Sequence, residues 1–263
     1  MLVTKRAQAL RAIKQSHKAM NLGNHSSLRA EPHNDILARY DSHFRTQLAE
    51  GADLIRTAQA IRYQVYCLER KFESRDEHDG GLERDAFDGV AVHALLFHRP
   101  TGDAIGTARL IPFTDMDVLQ PIRQILRANG LRARDHVPLR TTAEISRFAI
   151  SNHLRRRGDD APECRSNLPC LGLVQELVRQ SLDMGLTHWA AVMEPKLLRM
   201  LAAMGIHFTS VGPLVDHHGL RQPSTCELGE MLERLKSERP DHWMIVTDGG
   251  TLVPGAMQER RAA

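Results

Sequence analysis

Two strand-like runs, VAVHALLFH (90–98) and AIGTARLIPF (104–113), are separated only by RPTGD, whose Pro and Gly read as a hairpin turn. Around this hairpin the remaining patterns alternate. GADLIRTAQAIRYQVYCLER (51–70) sets Leu54, Ile55, Ala58, Ile61, Val65 and Leu68 at helical spacing. PIRQILRANG (121–130) is a short helix opened by Pro121 and closed by Gly130, and TTAEISRFAIS (141–151) is β-branched and strand-like. Asn167 is an N-cap candidate for a helix that ends at Gly185, THWAAVME (187–194) is a strand, and PKLLRMLAAMG (195–205) is a helix. IHFTSVG (206–212) and HWMIVTD (242–248) read as the last strands. The order predicts an α/β fold, a mixed sheet covered by helices. With no G-x-G-x-x-G and no P-loop, nothing suggests a nucleotide cradle.

A chain of 263 residues builds one large domain or two small ones. The expected layout is a basic appendage and linker over 1–45, a single domain over 46–255 and a tail over 256–263. Residues 1–30 hold six basic residues and no acid, so the net charge of +3 leaves about −3 for the rest. Such a leader reads as a transit peptide, an arm that touches a membrane surface, or a solvated helix. After it the charge is evenly spread without aromatic–basic interleaving, which argues against nucleic acid. No apolar run is long enough for a membrane span. The four cysteines form no C-x-x-C pair, so reduced thiols and a cytoplasmic location are expected. His217 and His218 lack any metal-ligand framework around them, so no metal is expected.

Four segments carry the chemistry: RYQVY (62–66), ERDAFD (83–88), GTARLIPF (106–113) and EISRFAIS (144–151). Crowded acids repel unless cations answer them, so Glu83, Asp85 and Asp88 should meet Arg62, Arg109 or Arg147. The alternative for these acids is a solvated turn rim. In a regular strand Glu144 and Ser146 share a face while Arg147 points away, so joint use of Glu144 and Arg147 requires a bulge. A plain ion pair between Glu144 and Arg109 or Arg147 is the structural alternative.

In this order the four segments resemble the acyl-homoserine-lactone synthases and the related N-acyl amino acid synthases. Those families read R-x-x-x-F, E-x-D-x-x-D, G-x-x-R-L-x-P and E-x-S-R-F. Through RYQVYCLERKFE and FDGVAVHALL the chain is most similar to the acyltransferases associated with exosortase systems. The latter half looks like that of the Gcn5-related N-acyltransferase fold. The resemblance implies transfer of an acyl chain from acyl carrier protein to a small amine, without metal or other cofactor. It assigns Glu144, Ser146 and Arg147 to catalysis, with Glu144 taking the amine's proton or orienting the amine. Arg62, Tyr66, Phe72, Glu83, Asp85, Asp88 and Arg109 would line the acceptor pocket. Phe72 and Tyr66 stand where the lactone synthases carry tryptophan and phenylalanine. Together with the long N-terminal extension, this points away from S-adenosylmethionine and towards an amino acid or similar acceptor. RRRGDD (155–160) puts Asp160 where a coenzyme A cradle needs a small residue, which favours a carrier protein as donor. Arg155, Arg156 and Arg157 then offer a docking patch for that acidic partner, or else form a solvated basic loop.

Overall fold

The computed structural model describes residues 32–113, 120–157, 162–217 and 219–253. The basic leader over 1–30, residues 158–160 of RRRGDD, His218 and the 256–263 tail lie outside the described residues.

Helix α1 (Pro32–His43) runs into strand β1 (Phe44–Leu48), and helix α2 (Ala52–Tyr63) continues as a π-helical stretch over Gln64–Glu69. Strands β2 (Val92–His98) and β3 (Ala104–Pro112) are the expected hairpin, followed by α3 (Pro121–Ala128) and β4 (Thr142–Ile150). Short helices α4 (Asn152–Arg157) and α5 (Pro162–Arg165) lead into the long α6 (Leu168–Asp183). Then come β5 (His188–Met193), α7 (Pro195–Ala203), β6 (Thr209–Ser210), β7 (Val215–Asp216), β8 (Leu220–Glu227), α8 (Leu228–Glu238) and α9 (Pro240–Val246). The strands lie in the order β1-β2-β3-β4-β5-β8-β6, with β7 paired to β8. Among the described residues only β4 and β5 pair in parallel, so the sheet is mixed and mostly antiparallel, with helices against it.

Alternation along the strands sorts the core into two faces. One face presents Ala94, Leu96, Ala108, Leu110, Ala143 and Ile145 to α6. Leu171, Leu173 and Leu177 of that helix are buried, each contributing about 2 kcal/mol by loss of water contact. Tyr40 of α1 lies so close to Gly172 that a β-carbon there would stand 2.6 Å from its hydroxyl. The other face carries Leu95 and Phe97 under α2, packed with Ala58, Ile61 and Val65.

The structure departs from the sequence reading in four places. HWMIVTD is helical rather than a strand: Pro240 opens α9, and His242, Ile245 and Val246 form one buried face at helical spacing. The strand expected over 206–212 shrinks to two residues of β6. Strand β8 escaped notice because Pro223 interrupts it and its residues are mostly polar, although its interior is buried. Finally, α1 and β1 belong to the compact unit, which begins at Pro32 rather than at residue 46. Strand β1 pairs with β2 along its whole length.

Candidate active site

The last turn of α2 delivers Arg62 onto the sheet face that holds Arg109, and both side chains are fully buried. The loop that follows is held from both ends. The Glu83 amide donates to the Gln59 carbonyl (3.2 Å), and the Phe87 amide donates to Asp85 Oδ1 (2.9 Å). That turn aims all three acids at the sheet.

A bulge completes the arrangement. Thr107 faces Ala149 and Arg109 faces Ser146, so Arg147 and Phe148 together oppose Ala108. Arg147 takes a left-handed backbone (φ 50°). Phe148 then fills the position that a regular strand would give to residue 147, against the apolar core. Arg147 is thereby freed to turn towards the acids. The bulge that joint use of β4's charged residues requires is present.

Each arginine meets two of the acids, and each acid two of the arginines. Arg62 Nη1 donates to Asp88 Oδ1 (2.6 Å), and its Nε bonds Glu83. Arg109 grips Asp85 with both terminal nitrogens (2.6 and 2.8 Å), reaches Asp88 Oδ1 (2.8 Å) and donates from Nε to Ser146 Oγ (3.0 Å). Arg147 donates twice to Glu83 Oε1 (3.1 and 3.0 Å) and lies 3.4 Å from Asp85. Burial disfavours the carboxylates, but hydrogen bonds and charge from these arginines outweigh it. Asp85 is held at about 2, and Glu83 and Asp88 lie below their ordinary values. The acids are therefore no solvated rim. Three arginines answer them, and a fourth acid, Glu73, lies 3.8 Å from Arg147 Nη2.

Glu144 is different. It is buried on the same face, yet among the described residues it forms no ion pair with Arg109 or Arg147. Its Oε2 accepts the Ile122 amide (3.0 Å) in the first turn of α3. Burial pushes its pKa up to about 8, against the opposing pull of that amide and the two arginines. The ion pair offered as its structural alternative gives way to a helix cap. Beside it runs a narrow apolar crevice lined by Phe113, Ile122, Leu126, Val137, Ala190 and Thr225, with His136 and Ala133 at its edge. Of β5 and the helix after it, only Ala190 contributes there.

Strands β4 and β5 stay paired from Thr142↔His188 to Ile145↔Ala191 and then part, although both continue. The bulge sits at the parting. Tyr66 leans over it, donating to the Phe148 carbonyl (3.3 Å) beneath the Arg147 guanidinium (5.6 Å). Phe72 stacks on Tyr66 (6.4 Å between ring centres) and is 39% exposed. Sequence reasoning did not find this opening, because strand separation leaves no mark in composition.

Arg155 points inward, donating to the Cys164 carbonyl (3.1 Å) and bonding Asn152, which takes it out of a simple surface patch. The side chains of Arg156 and Arg157 are outside the described set. Glu69 accepts the Ser151 hydroxyl (2.6 Å) and the amides of Asn152 (2.9 Å) and His153 (3.1 Å), so a carboxylate already occupies the start of α4. All four cysteines are buried and free. Burial pushes Cys170 and Cys226 up to about 12, which makes both poor nucleophiles.

With this geometry in hand, comparison with known proteins is informative. Residues 61–160 match the family model of the acetyltransferase (GNAT) domain. The chain has a GNAT fold. Among solved structures it is similar to TofI, crystallised in a ternary complex with an inhibitor and MTA, at 20% identity and a TM-score of 0.56. That likeness covers 73% of this chain and 96% of TofI. FeeM, an N-acyl amino acid synthase from uncultured soil microbes, shares 17% identity over 74% of this chain and 96% of its own, with a TM-score of 0.55. MesI, a CoA-dependent acyl-homoserine lactone synthase, shares 20% identity over 74% and 93%, with a TM-score of 0.52. No curated protein sequence matches the chain. The GNAT domain match runs from Ile61 in the last turn of α2 through the bulge and past α4, and so encloses the whole charged network.

Proposed function

We propose that the protein is an N-acyltransferase that moves a fatty acyl chain from an acyl carrier protein thioester to the amino group of an amino acid or similar small amine. The observation that carries this reading is the parting of β4 and β5 beside the Arg147 bulge. It leaves a slot with polar backbone on both sides, an apolar crevice next to Glu144, and a rigid charged floor. The neutral amine attacks the thioester carbonyl, a C–N bond forms, and the C–S bond breaks. The amine's proton goes to Glu144, and the departing thiolate recovers a proton as the free thiol. A carboxyl raised to about 8 is a competent base near neutral pH. Backbone N–H groups of the separated segment serve the oxyanion, and Arg109 fixes Ser146 beside it.

A carrier protein is favoured over free coenzyme A by Asp160 and by Glu69, whose negative charge stands at the α4 amides where a pyrophosphate would need them. The likeness of RYQVYCLERKFE and FDGVAVHALL supports an acyltransferase of the exosortase-associated kind, acting in the cytoplasm.

The test is direct. Purified protein is given acyl carrier protein or coenzyme A thioesters with a panel of amines, and products are read by mass spectrometry. A new N-acyl amine, made faster from the carrier thioester, supports the reading. Release of methylthioadenosine from S-adenosylmethionine would instead make it a lactone synthase. Glu144→Gln keeps an acceptor for the Ile122 amide and removes the base. Loss of turnover by 100-fold or more, with folding unchanged, is expected for general-base catalysis; full activity would reduce Glu144 to a helix cap.

A further inference from the structure

Beyond the charged network stands an arginine that no motif singles out. Arg221 opens β8, two positions from the pairing of Pro223 with Val192, on the β5 side of the gap. Its guanidinium lies 5.6 Å over the Phe72 ring. Phe72 stacks on Tyr66, and Tyr66 lies under Arg147 on the β4 side. Arg147, Tyr66, Phe72 and Arg221 thus form one stack across the mouth of the slot.

The two cations at its ends are not equivalent. Arg147 spends its fork on Glu83 and Asp85. Arg221 uses only Nη1, which touches Glu194 (3.3 Å) and the Leu220 carbonyl (3.1 Å). Among the described residues its Nε and Nη2 have no partner. The side chain is 14% exposed, so water reaches it while its plane stays fixed. Gly219 leaves room for it, since a β-carbon there would stand 3.3 Å from Nη1. A planar fork stacked on an aromatic ring, with two donors unspent, is the geometry that takes a carboxylate bidentately.

We infer that Arg221 binds the carboxylate of the acceptor, and so selects amines that carry one. Glu194 holds the guanidinium when the acceptor is absent and competes with it when present. This inference rests on the acyltransfer reading and names the substrate class of that site.

Two probes test it on the full chain. In turnover, glycine and glycinamide are compared as acceptors from one acyl carrier thioester. Wild type should favour the acid at least tenfold, and Arg221→Ala should bring the acid-to-amide ratio towards one. Glu194→Gln should lower the KM for glycine about three-fold or more. Product formed with a ratio unchanged by Arg221→Ala overturns the inference while leaving acyltransfer intact. In binding, N-lauroylglycine and N-lauroylglycinamide are titrated by calorimetry, which requires no turnover. A tenfold preference for the acid that vanishes in both Arg221→Ala and Arg221→Gln supports it. Equal affinity of wild type for the two compounds sinks it, whatever the outcome of the activity assay.

Discussion

Glu83 and Glu144 are equally hidden, at 1% and 2% exposure. They nevertheless hold their protons very differently. Glu83 has Arg62 and Arg147 as partners and stays ionised; Glu144 has a single backbone amide and is lifted to about 8. Burial alone therefore does not determine ionisation, and the neighbours decide. One end of the face is a lattice of fixed charge, able to orient a polar substrate without itself gaining or losing protons near neutrality. The other is an apolar setting in which burial lifts one carboxyl to about 8.

The sharpest way to break this contrast is Arg62→Met, which leaves Glu83 and Asp88 short of a buried partner. We expect a loss of about 3–5 kcal/mol in urea denaturation, the usual result of removing one partner of a buried pair. Glu144→Leu attacks the other end by stranding the Ile122 amide, at about 1–3 kcal/mol by the same measurement. At the bulge, Arg147→Gly and Arg147→Ala both delete the pairing with Glu83. Only glycine is at ease with a φ of 50°, so the glycine variant should be the more stable of the two by about 1 kcal/mol.

The pH profile sharpens the comparison most gently. Depressed carboxyls, with Asp85 at about 2 against an ordinary 3.8, contribute stability that is present above their unfolded values and lost as pH falls towards 2. Glu144 works the other way. Raised from 4.5 to about 8, it contributes stability that is present below 4.5 and lost as pH rises towards 8. Melting temperature should thus decline on both sides of a mildly acidic optimum. Glu144→Gln should flatten only the alkaline side; an unchanged alkaline slope would show that another group titrates there.

The sequence made much of this legible. Segments with one strong period, such as 51–70 or 121–130, yielded helices with nearly correct ends. The matching of Glu83, Asp85 and Asp88 to three arginines followed from electrostatics, and the bulge followed from strand alternation. What stayed hidden depended on packing. His242, Ile245 and Val246 are β-like in composition but lie against α1 and α6, a context no local pattern reports. The shortness of β1 and the proline in β8 concealed an edge strand and a central one. Arg221 was invisible because its partners, Phe72 and Glu194, are distant in sequence.

The charged network also has a consequence in time. Arg62 and Glu83 are 21 residues apart and can meet early, whereas Arg147 closes on Glu83 across 64 residues and needs β4 already laid beside β3. The longer closure predicts that the Arg147 side of the lattice forms after the rate-limiting barrier. Weakening it at Arg147 should leave the folding arm of a chevron in place and raise the unfolding arm. The same guanidinium that shapes the slot then acts as a latch, setting how long each folded molecule survives rather than how quickly it forms.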